Sequence, residues 1–96
     1  MTNNPSTIGE WRERIDRVDA ELVRLLNERA EAAKHIGRLK RTSDLPIVEP
    51  DRERIIFSNV RTHNNGPIPD PDMEHIFERI VETMRELQRR QIEAGD

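Results

Sequence analysis

Cysteine and tyrosine are both absent from the chain, and aromatic residues make up only 3% of it. Without cysteine the protein can form neither a disulfide framework nor a thiolate nucleophile, which is compatible with a reducing compartment. With so few aromatic side chains, the core must be mostly aliphatic. Such a core suits helices packed on helices better than a sheet.

The chain also lacks an excess of positive charge and any long apolar run. Its net charge of -3 argues against general nucleic-acid binding, because phosphate groups require a basic surface. No segment approaches the roughly 20 apolar residues of a membrane span, and the first residues do not resemble a signal peptide. We therefore expect a soluble cytoplasmic protein that binds neither nucleic acid nor membrane.

What is present is one dominant pattern between about residues 10 and 41. This stretch has no proline and a single glycine, Gly37. Its apolar residues recur at steps of three and four, which is typical of one face of an α-helix. That apolar stripe consists of Trp11, Ile15, Val18, Leu22, Leu25, Ala32, Ile36 and Leu39. The pattern predicts one very long N-terminal helix.

This helix is too long for its own chain to cover. It would extend roughly 48 Å, whereas a compact domain of this size has a radius of gyration of roughly 12 to 13 Å. The rest of the sequence offers only two shorter helical segments, so much of the apolar stripe needs a second copy of the protein. We therefore expect an intertwined oligomer, most simply a dimer.

Two breaks rich in turn-forming residues divide the chain into three helices. The first break, residues 42–50, contains two prolines, and the second, residues 63–72, contains Asn, Gly and Pro. Helices are predicted at about 10–41, 50–62 and 71–92. The sequence thus predicts a single all-α domain over residues 1–96.

Two further predictions concern the N-terminal segment and the loop between the first two helices. Residues 1–9 are expected to form a flexible lead, with Ser6 or Thr7 as a possible helix cap. Leu45, Ile47 and Val48 are apolar, so the loop that contains them is expected to lie against the core.

A cation interrupts the apolar stripe at Arg29. Lys40 lies about 20° from Arg29 around the helix and roughly 16 Å further along it, so the two side chains could converge on one small anion. The alternative is that such a cation snorkels to water or pairs with a neighbouring carboxylate. Gln88, on the third helix, also has two interpretations. It is either part of such a site or a polar residue that only sets the register of helix packing.

Other kinds of site find no support in the sequence. His35, His63 and His75 show no metal-ligand spacing, and no Ser or Thr stands in a recognisable nucleophile context. Glycine-rich phosphate loops are also missing. We expect neither a metal nor a cofactor.

The order of these features strongly resembles the all-helical (AroQ-class) chorismate mutases. The resemblance covers Trp11 to about Gln91. It is carried by IDRVDAELVRLLNERAEAAKHIGRLK, which includes Arg29 and Lys40, then a proline-containing loop, DRE at residues 51–53, and Gln88 on the third helix.

The resemblance implies an intertwined six-helix homodimer, with domain-swapped chains and two active sites that bind chorismate. Arg29 and Arg12 of the partner subunit would grip the two carboxylates of chorismate. Lys40 and Gln88 would reach its ether oxygen and act as the catalytic groups.

Four further substrate-binding residues follow from the same resemblance. Arg52 would add to the carboxylate end, while Glu53 and Glu49 would face the ring hydroxyl. Glu49 stands where relatives often carry aspartate, and Met84 stands where a small polar residue is frequent. These two departures leave the principal cations in place.

Several alternatives remain open. An isochorismate pyruvate lyase or an aminochorismate mutase of the same fold would use nearly the same cations. A non-catalytic helical dimerisation module would have no reason to keep all of them. No regulatory domain is expected within 96 residues, and a complex with another enzyme of aromatic biosynthesis is a further expectation.

Overall fold

The structure, a computed structural model, describes residues 5–93. Over that range it consists of three helices and no strand: α1 (Ile8–Ser43), α2 (Pro50–His63) and α3 (Asp70–Glu93). The prediction of an all-α chain of three helices with one very long N-terminal helix is confirmed. The first and last residues of each helix lie within two positions of those predicted. None of the described helices combines the length and apolarity that a membrane crossing requires.

Helix α1 begins earlier than predicted because Thr7 caps it. The backbone N–H of Glu10 donates to the Thr7 hydroxyl at 3.1 Å, and the Glu10 carboxylate accepts the N–H of Ser6 at 3.0 Å. The first bond satisfies a donor that the first turn of a helix leaves unpaired, and the second ties the residue before Thr7 to that turn. Ile8 and Gly9 are therefore helical and not part of a flexible lead. Residues 1–4 of that predicted lead lie outside the described residues.

The chain divides into two compact units, Met1–Glu31 and Ala32–Asp96. In the described part of the first unit, the apolar stripe of α1 is open to solvent. Its members here are each 44% to 56% exposed: Trp11, Ile15, Val18, Leu22 and Leu25. A continuous row of large apolar side chains on a surface usually marks an interaction site.

Charged side chains of α1 in this unit make contacts within the helix. Arg24 donates to Glu21 at 2.9 Å and to Glu28 at 3.4 Å. The hydrogen bond to Glu21 and the charge of Glu28 raise the pKa of Arg24 above its usual value. Arg14 lies over the ring of Trp11, with its guanidinium carbon 5.1 Å from the ring centroid.

The second unit holds the last turns of α1 with α2 and α3. Its buried apolar residues are Ala33, Val81 and Met84. Helix α2 packs along α3 and has no fully buried residue; Phe57 and Val60 are half-buried. The core of this unit is therefore small, and polar residues occupy part of it.

The loop between α1 and α2 is held by its backbone more than by its side chains. Ile47 is half-buried, but Leu45 is 53% and Val48 44% exposed. The prediction that the apolar loop residues lie against the core is wrong for those two. The backbone carbonyl of Ile47 accepts a hydrogen bond from the Lys40 ammonium at 3.1 Å, which fixes the loop.

Candidate active site

Lys40 is the centre of a buried polar cluster in the second unit. The residue is only 5% exposed, and burying a charge is costly unless it is paired. Its ammonium donates to Gln88 Oε1 at 3.0 Å and to the Ile47 carbonyl at 3.1 Å, and it lies 3.0 Å from Glu49 Oε2. An ammonium has three donors, so these contacts occupy all of them. We call these four residues the Lys40 cluster.

Gln88 is the member of this cluster that comes from α3. It is 9% exposed, and 48 positions separate it from Lys40 in the sequence. Because an ammonium can only donate, the oxygen of the Gln88 amide must be the atom that faces Lys40. The NH2 group of the amide is therefore not the group that contacts Lys40.

Glu49 joins the cluster because the start of α2 does not need its side chain. It is the N-cap residue of α2, with extended backbone angles, and it makes no side-chain cap bond. Pro50, at the first position of the helix, has no N–H to satisfy. The Glu49 side chain is 38% exposed and turns to Lys40.

One turn along α2, Glu53 pairs with Arg85 of α3. Arg85 Nε lies 3.1 Å from Glu53 Oε2, and Nη2 donates to Oε1 at 3.3 Å. The N–H of Nε is buried and does not point at an acceptor, so the pair is not an ideal two-bond fork. Glu49 and Glu53 thus each pair with a cation of another helix, Lys40 of α1 and Arg85 of α3.

Sequence reasoning missed Arg85. Its position three residues before Gln88 places the two side chains near each other on α3. That spacing was the available signal, but it does not reveal the partner Glu53, which lies 32 positions away.

Four other predicted site residues are not members of the Lys40 cluster. Arg52 is exposed at the start of α2, and Met84 is 6% exposed within the core of the second unit. In the first unit, Arg12 is exposed and Arg29 half-buried. The structure thus brings Lys40, Glu49 and Gln88 together directly.

An open groove on α2 and α3 is a weaker candidate. It is lined by Arg54, Phe57, Arg61, Pro71, Glu74 and Glu78. None of these is a predicted site residue, and Arg61 is paired with Glu74. Among residues 5–93, no group of three or more His, Cys, Asp or Glu is placed to hold a metal ion.

A comparison with known protein families shows which family this chain belongs to. The family model described as chorismate mutase type II matches residues 11–89, a range that includes the whole Lys40 cluster. The chain belongs to the chorismate mutase type II family. The resemblance predicted from the sequence motifs is confirmed.

Named members of the chorismate mutase family show the same relationship. A chorismate mutase from Methanocaldococcus jannaschii is 29% identical over 87 residues, which cover 90% of this chain and 88% of that protein. The solved structure of chorismate mutase (Form II) from Thermus thermophilus superimposes with a TM-score of 0.85 at 36% identity. That similarity covers 88% of this chain and 96% of the Thermus chain.

Other relatives are much longer than this chain. A bifunctional chorismate mutase/prephenate dehydratase from Aquifex aeolicus is 41% identical over 85 residues, which cover 84% of this chain. The matched segment spans 24% of the Aquifex protein, and the corresponding figure for a bifunctional relative from Neisseria gonorrhoeae is 21%.

The Arg85–Glu53 pair predicts a measurable contribution to stability. Its side chains are 32% and 22% exposed, so solvent screens the pair only in part. We expect Arg85→Ala to lower the free energy of unfolding by about 1 kcal/mol, the upper end of the range for exposed pairs. Urea unfolding at a fixed protein concentration measures the change.

Arg79 provides a matched control for this measurement on the same helix. Its ion pair with Glu82, at 3.3 Å, joins side chains that are 76% and 62% exposed. We expect Arg79→Ala to change stability by less than about 0.5 kcal/mol. Equal losses in the two variants would show that the Arg85–Glu53 pair contributes nothing specific.

Proposed function

We propose that this chain catalyses the rearrangement of chorismate to prephenate, in the biosynthesis of phenylalanine and tyrosine. The observation that carries the proposal is the Lys40 cluster: a buried ammonium fixed 3.0 Å from a buried amide oxygen, in a member of the chorismate mutase family. In this [3,3] rearrangement a C–O bond breaks as a C–C bond forms, and no proton need move. Fixed donors that orient the substrate and stabilise developing charge suit such a reaction.

Lys40 is the main catalytic group in this proposal. The ether oxygen of chorismate becomes more negative as its bond to the ring breaks, so an ammonium beside it stabilises the transition state more than the substrate. Since all three Lys40 donors are occupied, the ether oxygen must replace one acceptor. Glu49 is the acceptor that can leave, because its side chain is 38% exposed, whereas Gln88 is buried.

The other proposed roles complete the site around this donor. The NH2 group of Gln88 is the second donor to the ether oxygen. Glu49, once displaced from Lys40, faces the ring hydroxyl together with Glu53, which Arg85 holds in place. Both carboxylates are acceptors when ionised, as a hydroxyl partner requires.

Arginines bind the two carboxylates of the substrate in this proposal. A guanidinium offers paired donors that match a carboxylate, which fixes orientation as well as charge. Arg29 and Arg12 of the partner subunit take these positions, and Arg52 adds to the carboxylate end. Met84 lines the substrate site as an apolar wall.

The active form is proposed to be an intertwined homodimer of six helices. Helix α1 has 36 residues and is therefore about 54 Å long. In the first unit its apolar stripe is about half exposed, and a second copy of the same helix offers a matching apolar surface. Light scattering should give twice the chain mass, and a monomer that retains full activity would contradict the dimer.

We also propose a complex with another enzyme of aromatic biosynthesis. Its support is that the Aquifex and Neisseria relatives are named as bifunctional chorismate mutase/prephenate dehydratases. A prephenate dehydratase from the same genome is the partner to mix with this chain. Co-elution in size-exclusion chromatography tests the complex, and separate elution at micromolar concentrations would contradict it.

The activity is tested by following chorismate loss by ultraviolet absorbance and identifying the product by chromatography. Isochorismate is assayed beside chorismate. We expect prephenate from chorismate. Pyruvate released from isochorismate, with no prephenate formed from chorismate, would instead indicate a lyase. No turnover of either compound would indicate a non-catalytic dimerisation module.

The pH profile of the reaction follows from the side chain at position 88. The Gln88 amide has no ionisable proton in the physiological range, so it donates equally well across that range. We expect kcat to stay nearly level from pH 6 to 8. A steep loss that follows one ionisation would remove Gln88 as a neutral donor.

Gln88→Glu is the matched control for the pH profile. A carboxylic acid donates a hydrogen bond only while it is protonated, so raising the pH should remove the donor. We expect kcat of this variant to fall as the pH rises, whereas kcat of the wild type does not. Parallel profiles for the two proteins would contradict the role of Gln88.

A further inference from the structure

The Lys40–Gln88 contact depends on a close approach of two helix faces in the second unit. On α1 the buried residues are Ala33, Gly37 and Lys40, spaced four and three apart. On α3, Met84, Gln88 and Gln91 are buried with the same spacing, which places them on one face. Small residues at positions 33 and 37 let the backbones of two helices come near each other.

Gly37 lies where α1 closely approaches the backbone of α3. A Cβ atom built on Gly37 would lie 3.2 Å from the Cα of Gln88, 3.3 Å from the Cβ of Gln91 and 3.4 Å from the backbone oxygen of Gln88. Two of these three atoms belong to the main chain of Gln88. A side chain at position 37 would therefore displace the backbone that carries the Gln88 amide.

Glycine at this position is not explained by the needs of α1. The residue is in the helix interior, where glycine is less favourable than alanine. Its φ is not among the positive values of the chain, so the backbone does not require glycine. What the missing side chain provides is room for α3 at Gln88.

We propose that Gly37 is a positioning residue, whose missing side chain lets α3 approach closely enough to fix the Gln88 amide at 3.0 Å from the Lys40 ammonium. This inference rests on the proposed function, because it assigns Gly37 a role in aligning the two proposed donors. Lys40 and Gln88 act on one atom of the substrate, so their separation determines whether both reach it.

The first test compares Gly37→Ala with Gly9→Ala. Both changes replace a helical glycine of α1 by alanine, but the nearest atom to a Cβ at Gly9 is the Thr7 hydroxyl oxygen at 3.9 Å. We expect Gly37→Ala to lower kcat by about tenfold, since small displacements of aligned groups are costly. KM should change less than kcat, helix content should stay at the wild-type value, and Gly9→Ala should keep wild-type kcat.

The second test separates positioning from a general packing defect. In a Gln88→Ala background the donor that Gly37 positions is gone, so adding Gly37→Ala should lower kcat by less than about twofold. If the change costs about tenfold in both backgrounds, Gly37 does not act through Gln88 and the proposal fails.

A crystal structure of Gly37→Ala gives a readout that does not depend on activity. We expect the distance between Lys40 Nζ and Gln88 Oε1 to lengthen from 3.0 Å by a few tenths of an ångström or more. An unchanged distance overturns the proposal, and so does a variant that no longer folds, because Gly37 would then serve folding. An inactive wild type would instead refute the proposed function, while this distance would still decide the role of Gly37.

Discussion

Replacing Lys40 with alanine is expected to lower kcat for chorismate by about 10² or more, the scale for removing one transition-state donor. The ammonium is buried and directed by Gln88, Glu49 and the Ile47 carbonyl, so its position is set before the substrate arrives. Because the charge on the ether oxygen develops only in the transition state, the loss should fall mainly on kcat and less on KM.

Lys34 is the control for this variant, since it is the other lysine of the chain and lies on the same helix. Lys34→Ala removes the same atoms and charge outside the Lys40 cluster, so we expect kcat within about twofold of wild type. Steady-state kinetics with chorismate and circular dichroism of both variants provide the comparison. A folded Lys40→Ala protein with wild-type kcat would remove Lys40 from the mechanism.

Most of the fold could be predicted because its signals are local. The three- and four-residue spacing of apolar positions predicted α1 from its own sequence, and Pro50 predicted where α2 starts. Thr7 is one of the two predicted caps, but the start of α1 was predicted at about residue 10; the bonds between Thr7 and Glu10 and between Ser6 and Glu10 place it at Ile8. The exposure of Leu45 and Val48 depends on how the loop is held, which periodicity does not reveal.

The candidate site was only partly predictable, for a related reason. Lys40 and Gln88 were predicted through their match to family motifs, and the structure places them in direct contact. The partners of the predicted carboxylates were not visible, because Glu53 and Arg85 meet only when α2 packs on α3. The roles of Arg12 and Arg29 remain predictions, since they concern a second copy of the chain.

The second large expected effect is restoration of activity when two inactive chains are combined. Arg12 and Arg29 are 17 positions apart on α1, which corresponds to about 25 Å along the helix axis and about 100° around it. One copy of the helix cannot bring both guanidinium groups to a single molecule of chorismate. If both bind the substrate, each site must take Arg29 from one chain and Arg12 from its partner.

Arg12→Ala and Arg29→Ala dimers should therefore each be poor enzymes, because each lacks one arginine at both sites. A mixed dimer contains one site with both arginines and one site with neither. Random pairing of equal amounts makes half of the dimers mixed, so the mixture should return about a quarter of wild-type activity if the sites act independently. The chains must be co-expressed or refolded together, since intertwined chains should not exchange readily.

A chain that carries both substitutions provides the matched control, co-assembled with wild type in equal amounts. If the arginines come from different chains, every site in a mixed dimer of this pair lacks one of them. Only the wild-type dimers then contribute, which again gives about a quarter of full activity. If both arginines of a site came from one chain, this control would retain about half of full activity, and the two single variants would show no recovery. That result, with mixed dimers verified by native mass spectrometry, would exclude the shared site.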